Sequence, residues 1–83
     1  MHFTTRRFWE SYHRLPEPMQ RSADRCYQLL RDNSAHPSLH FKKVGQYWSV
    51  RAGGDYRALG VEAYDGIVWF WIGPHAEYER LIS

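Results

Sequence analysis

Eighty-three residues carrying a net charge of +2 can enclose one hydrophobic core, so residues 1–83 are expected to form a single domain. The single cysteine, Cys26, excludes an internal disulfide and points to a cytosolic setting. No run approaches the ~20 apolar residues of a membrane span, and no secretory leader is read at the start. Four Trp, six Tyr and four Phe supply the buried area that so short a chain needs without disulfide or metal.

From the start of the chain, Thr4 or Thr5 is placed to cap a helix that runs to about Arg14, with Phe8, Tyr12 and Leu15 at helical spacing and Pro16 closing it. A second helix begins near Glu17-Pro18, where proline in the first turn sacrifices no hydrogen bond. Met19, Ala23, Cys26, Tyr27 and Leu30 then form its apolar face, opposite Arg21, Asp24, Arg25, Gln28 and Arg31, until the pattern fades at Asp32-Asn33-Ser34. Beyond Pro37 the period becomes two. Leu39 and Phe41 alternate with His40 and Lys42 as a short strand or extended arm, and Trp48, Val50 and Ala52 alternate with Tyr47, Ser49 and Arg51. Gly53-Gly54-Asp55 supplies a hairpin turn into a returning strand, Tyr56 to Ala63. Asp65-Gly66 turns the chain again into Ile67–Ile72, apolar on both faces and so expected as a central strand. Gly73-Pro74 is expected to break the sheet before a terminal helix, His75 to Ile82. The predicted class is α+β: an N-terminal two-helix hairpin packed on a small twisted antiparallel sheet, closed by a short C-terminal helix.

A net charge of +2 is too small to argue for a polyanionic partner, but its distribution is uneven. Lys42, Lys43, Arg51 and Arg57 are opposed within their segment only by Asp55, with His36 and His40 just upstream. Such a cluster suits RNA phosphates or an acidic protein segment, against the plainer alternative of a solvated surface.

The sharper chemistry lies in Arg51, Arg57 and His75. RNA is cut without metal when its own 2′-hydroxyl attacks the neighbouring phosphate. That reaction needs a base, an acid for the leaving 5′-oxygen, and positive charge around the phosphate. His75 titrates in the right range by residue type. Arg57 and Arg51 can donate charge-assisted hydrogen bonds to phosphate, and Lys42 and Lys43 can hold flanking backbone. Tyr78 and Tyr47 offer faces on which an unstacked base can lie. Each residue also has a structural reading: His75 as a helix-capping or surface residue, Arg57 as a partner of Asp55 or Glu62, Tyr78 as core, Lys42-Lys43 as a solvated pair. Metal and cofactor chemistry are not expected. His36 and His40 are separated by Pro37 from any shared helical face, no cysteine or carboxylate set completes a site, and Gly53-Gly54 belongs to a hairpin rather than a phosphate loop.

Taken together these residues resemble the RelE/ParE superfamily of toxins from bacterial type II toxin–antitoxin systems. The likeness runs over nearly the whole chain. It rests on Leu15-Pro16 between the helices, His36-Pro37-Ser38-Leu39, Phe41-Lys42-Lys43, Trp48-Ser49-Val50-Arg51, Gly54-Asp55-Tyr56-Arg57, and Ile72-Gly73-Pro74-His75 with Tyr78. The resemblance implies a helical hairpin on a twisted antiparallel sheet, a cytoplasmic protein, and a small antitoxin from a neighbouring gene as partner. It further implies one of two activities: ribosome-dependent mRNA cleavage on the RelE side, or poisoning of DNA gyrase on the ParE side. A third outcome is an inactive relative that only binds an antitoxin. Arg57 matches the hairpin arginine, His75 the position where one RelE-like branch uses histidine, and Tyr78 lies near a C-terminal aromatic. The expectation is therefore an mRNA endoribonuclease with His75, Arg57, Arg51 and Tyr78 as catalytic residues and Lys42, Lys43, His40 and Tyr47 as RNA contacts. Two departures stand out. Tyr47, Ser49 and Arg51 occupy an early strand where RelE carries lysines, and Met1-His2-Phe3 leaves room for no more than a strand stub.

Overall fold

Backbone pairing in the computed structural model, which describes residues 1–83, begins with the stub: β1 (His2–Thr4) is followed by α1 (Arg6–His13) and α2 (Glu17–Asp32). A 3-10 turn at Pro37–Leu39 leads into β2 (Lys42–Val44), β3 (Tyr47–Arg51), β4 (Tyr56–Ala63), β5 (Gly66–Pro74) and α3 (His75–Ile82). The strands form one sheet in the order β1-β5-β4-β3-β2. Strands β2 to β5 are an antiparallel meander, whereas β1 pairs in parallel with β5, so the sheet is mixed rather than purely antiparallel. The α+β arrangement of N-terminal helices, sheet and C-terminal helix otherwise stands as expected.

Local chemistry accounts for the helix limits. Thr5 caps α1, its Oγ1 accepting from the Phe8 amide at 3.1 Å, and Pro18 occupies the first turn of α2. Two expectations change. The Leu39–Phe41 segment is not a strand: Pro37 starts a 3-10 turn capped by His36 Nδ1, and His40 ends it in the left-handed region at φ 48°. Nor does Gly73-Pro74 break the sheet. The ladder continues through Arg57–Gly73 and Tyr56–Pro74, since proline at a strand's last position gives up little pairing.

The pleat divides the sheet into two faces. Val50, Ala52, Ala58, Trp69 and Ile72 point toward α1 and α2 and join Leu15, Ala23, Leu30 and Leu39 in the main core. Leu39 is fully buried, a contribution of about 1.5–3 kcal/mol by transfer alone. On α2, Tyr27, expected on the apolar face, stays 41 % exposed, while Leu29, which the pattern did not assign, packs onto this core. The opposite face carries Ser49, Leu59 and Tyr78 as a second, smaller buried group under α3. Gly53, at φ 105°, lets the β3–β4 turn press against α2; a Cβ there would meet Ser22 Cβ at 2.8 Å.

Candidate functional site

The β3–β4 turn gathers most of the residues singled out by their chemistry. Arg51 and Arg57 are direct partners in the ladder and so leave the same face of the pleat. Both guanidiniums reach the Gly54 carbonyl at 3.3 Å, and Arg57 also donates to the Tyr56 carbonyl at 3.0 Å. Two cations side by side repel, and the carbonyls of the turn offset part of that cost. Arg51 in addition borders the groove on the helical side of the sheet and lies close enough to Cys26 to act on its thiol. Burial pushes that thiol up, with Arg25 and Arg51 pulling the other way. A raised thiol beneath α2 suits packing rather than nucleophilic chemistry.

Helix α3 starts at the same turn. The His75 amide donates to the Asp55 carbonyl at 2.6 Å, one residue from the carbonyl that both arginines share. Its imidazole is 40 % exposed and uses its two nitrogens unequally: Nε2 lies 2.5 Å from Glu79 Oε1, whereas Nδ1 is buried without a partner. Only Nε2 can therefore meet a substrate without rotation of the ring. Glu79, one helical turn on, was not foreseen from the sequence, although the i, i+4 spacing from His75 on a helix carries that signal.

The remaining candidates separate. Tyr78 is 6 % exposed, its ring 5.5 Å from that of His75, and its hydroxyl accepts from Ser49 Oγ at 3.0 Å. A ring so covered offers no stacking platform; it anchors α3 and sets the height of His75 above the sheet. Lys42 is the cross-strand neighbour of Ser49, so it shares the α3 face, exposed and free of any ion pair. Lys43 pairs with Trp48 and hence leaves the opposite face, where its Nζ lies 3.6 Å from Glu62 and over the Trp48 ring. The two lysines were expected to act together, and strand alternation parts them. Tyr47 stands on the α3 face against Phe70, but at the far end of β3 from Arg51, roughly 13 Å along the strand. His40 is exposed in the turn before β2.

A groove of about 400 Å³ opens on the helical side, between α1, α2 and β1. Phe3, Trp9 and Tyr27 line it while remaining partly exposed, and Tyr12 donates its hydroxyl to Asp24 at 2.8 Å on its rim. Burial, then the hydrogen bond and charge of Asp24, raise the Tyr12 phenol above its ordinary value. No helix is long and apolar enough to cross a membrane.

No family model matches the sequence, and no curated protein does. Solved structures do match. The RelB–RelE antitoxin–toxin complex of Methanococcus jannaschii contains a chain that superposes with a TM-score of 0.72 at 13 % identity, over 98 % of this chain and 99 % of that one. The archaeal RelE–RelB complex of Pyrococcus horikoshii OT3 gives 0.62 at 17 % identity, over 89 % and 92 %. Both of these are archaeal, and at such identities the likeness is one of architecture. Element order, the five-stranded mixed sheet and the closing helix together make this a RelE-like fold.

Proposed function

We infer that the chain is the toxin of a toxin–antitoxin pair and that it cuts mRNA without a metal ion, with the ribosome presenting the substrate. The observation that carries this reading is the meeting of Arg57, Arg51 and His75 at one turn, with Nε2 of His75 on the accessible side. In this chemistry O2′ attacks phosphorus, its proton passes to a base, the 5′-oxygen leaves with a proton, and a 2′,3′-cyclic phosphate remains. His75 Nε2 carries the proton. It gives up Glu79 for the leaving 5′-oxygen and donates its proton there, while the freed carboxylate takes the proton from O2′. Arg57 and Arg51 trade their carbonyl partners for the phosphate oxygens, whose growing charge makes the stronger acceptor. Lys42 holds neighbouring backbone on the same face. Tyr78 acts through position, by keeping α3 on the sheet.

The matched RelE structures are complexes with RelB. By extension, this chain's partner is a small antitoxin, and the apolar groove between α1 and α2 with Arg51 at its rim suits an amphipathic segment bearing carboxylates. One observation favours the rival activity, gyrase inhibition. Arg57 already serves two backbone carbonyls, as a purely structural arginine would. Primer extension on transcripts after induction separates the two. Codon-phased cuts that disappear in His75→Ala and Arg57→Ala support the nuclease; intact transcripts with DNA-damage signalling overturn it.

A further inference from the structure

A second cleft lies on the α3 face, away from His75. It has a volume of about 410 Å³, on the scale of one nucleotide, and is walled by α1 on one side and α3 on the other. Three arginines line it: Arg7 and Arg14 from α1, and Arg80 from α3. None of the three makes an ion pair, and none uses its side chain in a hydrogen bond, unlike the arginines at the β3–β4 turn. Unpaired guanidiniums facing one another across a cleft repel, and an anion between them relieves that cost.

The floor is an indole. The register between β4 and β5 shifts at Leu59/Gly60, so Phe70 is an extra residue and Trp71 is delivered to the α3 face opposite Leu59. There Trp71 lies partly buried along its own strand over Gly73, where an added Cβ would come within 2.5 Å of the ring. Gly73 thus makes room for the indole. Because Gly73 is the cross-strand partner of Arg57, the floor of this cleft abuts the candidate catalytic turn. Two carboxylates, Glu10 and Glu77, also border it. Glu10 leans to Arg6 at 3.9 Å, and Glu77 sits in the first turn of α3, where the helix dipole favours it.

We propose that this cleft is a binding site for one nucleotide of single-stranded RNA adjoining the cleaved bond, with its base stacked on Trp71 and its phosphates held by Arg7, Arg14 and Arg80. An aromatic floor with cationic walls is the arrangement that single strands require, because only an unstacked base exposes a face to an indole. Two strong acceptors, Glu10 and Glu77, stand ready for the amino groups of that base. The choice of RNA rests on the nuclease reading; the nucleotide-binding chemistry does not.

The test is fluorescence anisotropy with the full chain and a fluorescein-labelled oligoadenylate, read across a salt series. Arg7→Gln/Arg14→Gln/Arg80→Gln removes three exposed charges, and circular dichroism checks that the fold persists. The plot of log affinity against log salt is expected to flatten by about 1.4, as loss of contact with the two phosphates that flank one nucleotide of a single strand requires. Trp71→Leu is expected to weaken binding by about tenfold with the slope unchanged. Should the triple variant unfold, Arg80→Gln alone is expected to flatten the slope by ~0.7. Unchanged slopes overturn the proposal, as does indifference to Trp71→Leu. Equal affinity for oligodeoxyadenylate overturns the assignment to RNA, and equally tight binding of a polyglutamate peptide makes the cleft a protein-docking site instead. Primer extension keeps the two readings apart. Wild-type chain that binds through the cleft yet leaves transcripts intact sinks the nuclease and spares the cleft, while cutting without slope changes does the reverse.

Discussion

The two faces of the sheet are built on different terms. Beneath α1 and α2 the side chains are apolar, packed together and drawn from both helices, the 3-10 turn and strands β3, β4 and β5, so this face supplies the stability. Beneath α3 only Ser49, Leu59 and Tyr78 are well covered, and cations stand around them largely without acidic partners. A domain this small cannot put equal packing on both sides of its sheet. It places apolar bulk on one face and leaves the other open, where exposed cations can meet a ligand.

That contrast predicts that substitutions sort by face. Leu39→Ala, in the most buried position of the helical side, is expected to cost about 2–5 kcal/mol in urea denaturation; a change below ~1 kcal/mol would show that this core is not the source of stability. On the α3 side, His75→Ala and Arg57→Ala are each expected to reduce ribosome-dependent cleavage by ~100-fold or more with little change in melting temperature. A matching loss of stability would reduce both residues to scaffolding. Tyr78→Phe strands the Ser49 hydroxyl and is expected to cost about 1–3 kcal/mol, making it the one α3-side change that behaves like a core change. The smallest effect concerns pH. Burial, with the neighbouring terminal amine, lowers the His2 imidazole from an ordinary 6.5, and its Nδ1 must stay unprotonated to accept from Trp69 Nε1 at 3.0 Å. The unfolded chain then binds the proton more readily than the folded one, so stability is fully present above pH ~6.5 and falls as pH drops toward the lowered folded value. His2→Phe should flatten that slope in a melting series between pH 7 and pH 5. A flat profile in the parent chain would exclude His2 as its cause.

Legibility in the sequence followed the range of the interactions involved. Thr5, Pro16 and Pro18 marked the helices because caps and proline act within a turn of themselves, and Gly53-Gly54 marked the hairpin for the same reason. Parallel β1 escaped. Three residues contain too little alternation to read, and their pairing with Ile67–Trp69 spans the whole chain. Lys42 and Lys43 look equivalent as neighbours until the pleat assigns them to Ser49 and Trp48. Trp71 lies in the Ile67–Ile72 run, apolar on both faces, which gives no sign of the side its indole takes. The shift at Leu59/Gly60 that turns it to the other face is a property of register, and register is not written in any one strand.

Both borders of the sheet are only three residues long: β1 on one side, and β2, which begins with two lysines, on the other. A lateral rim so brief presents few free amides and carbonyls for another molecule to copy, and charge on it discourages the attempt. Concentrated solutions of this chain should therefore resist fibril growth by strand addition, despite the β-prone Ile67–Ile72 stretch lying just inside.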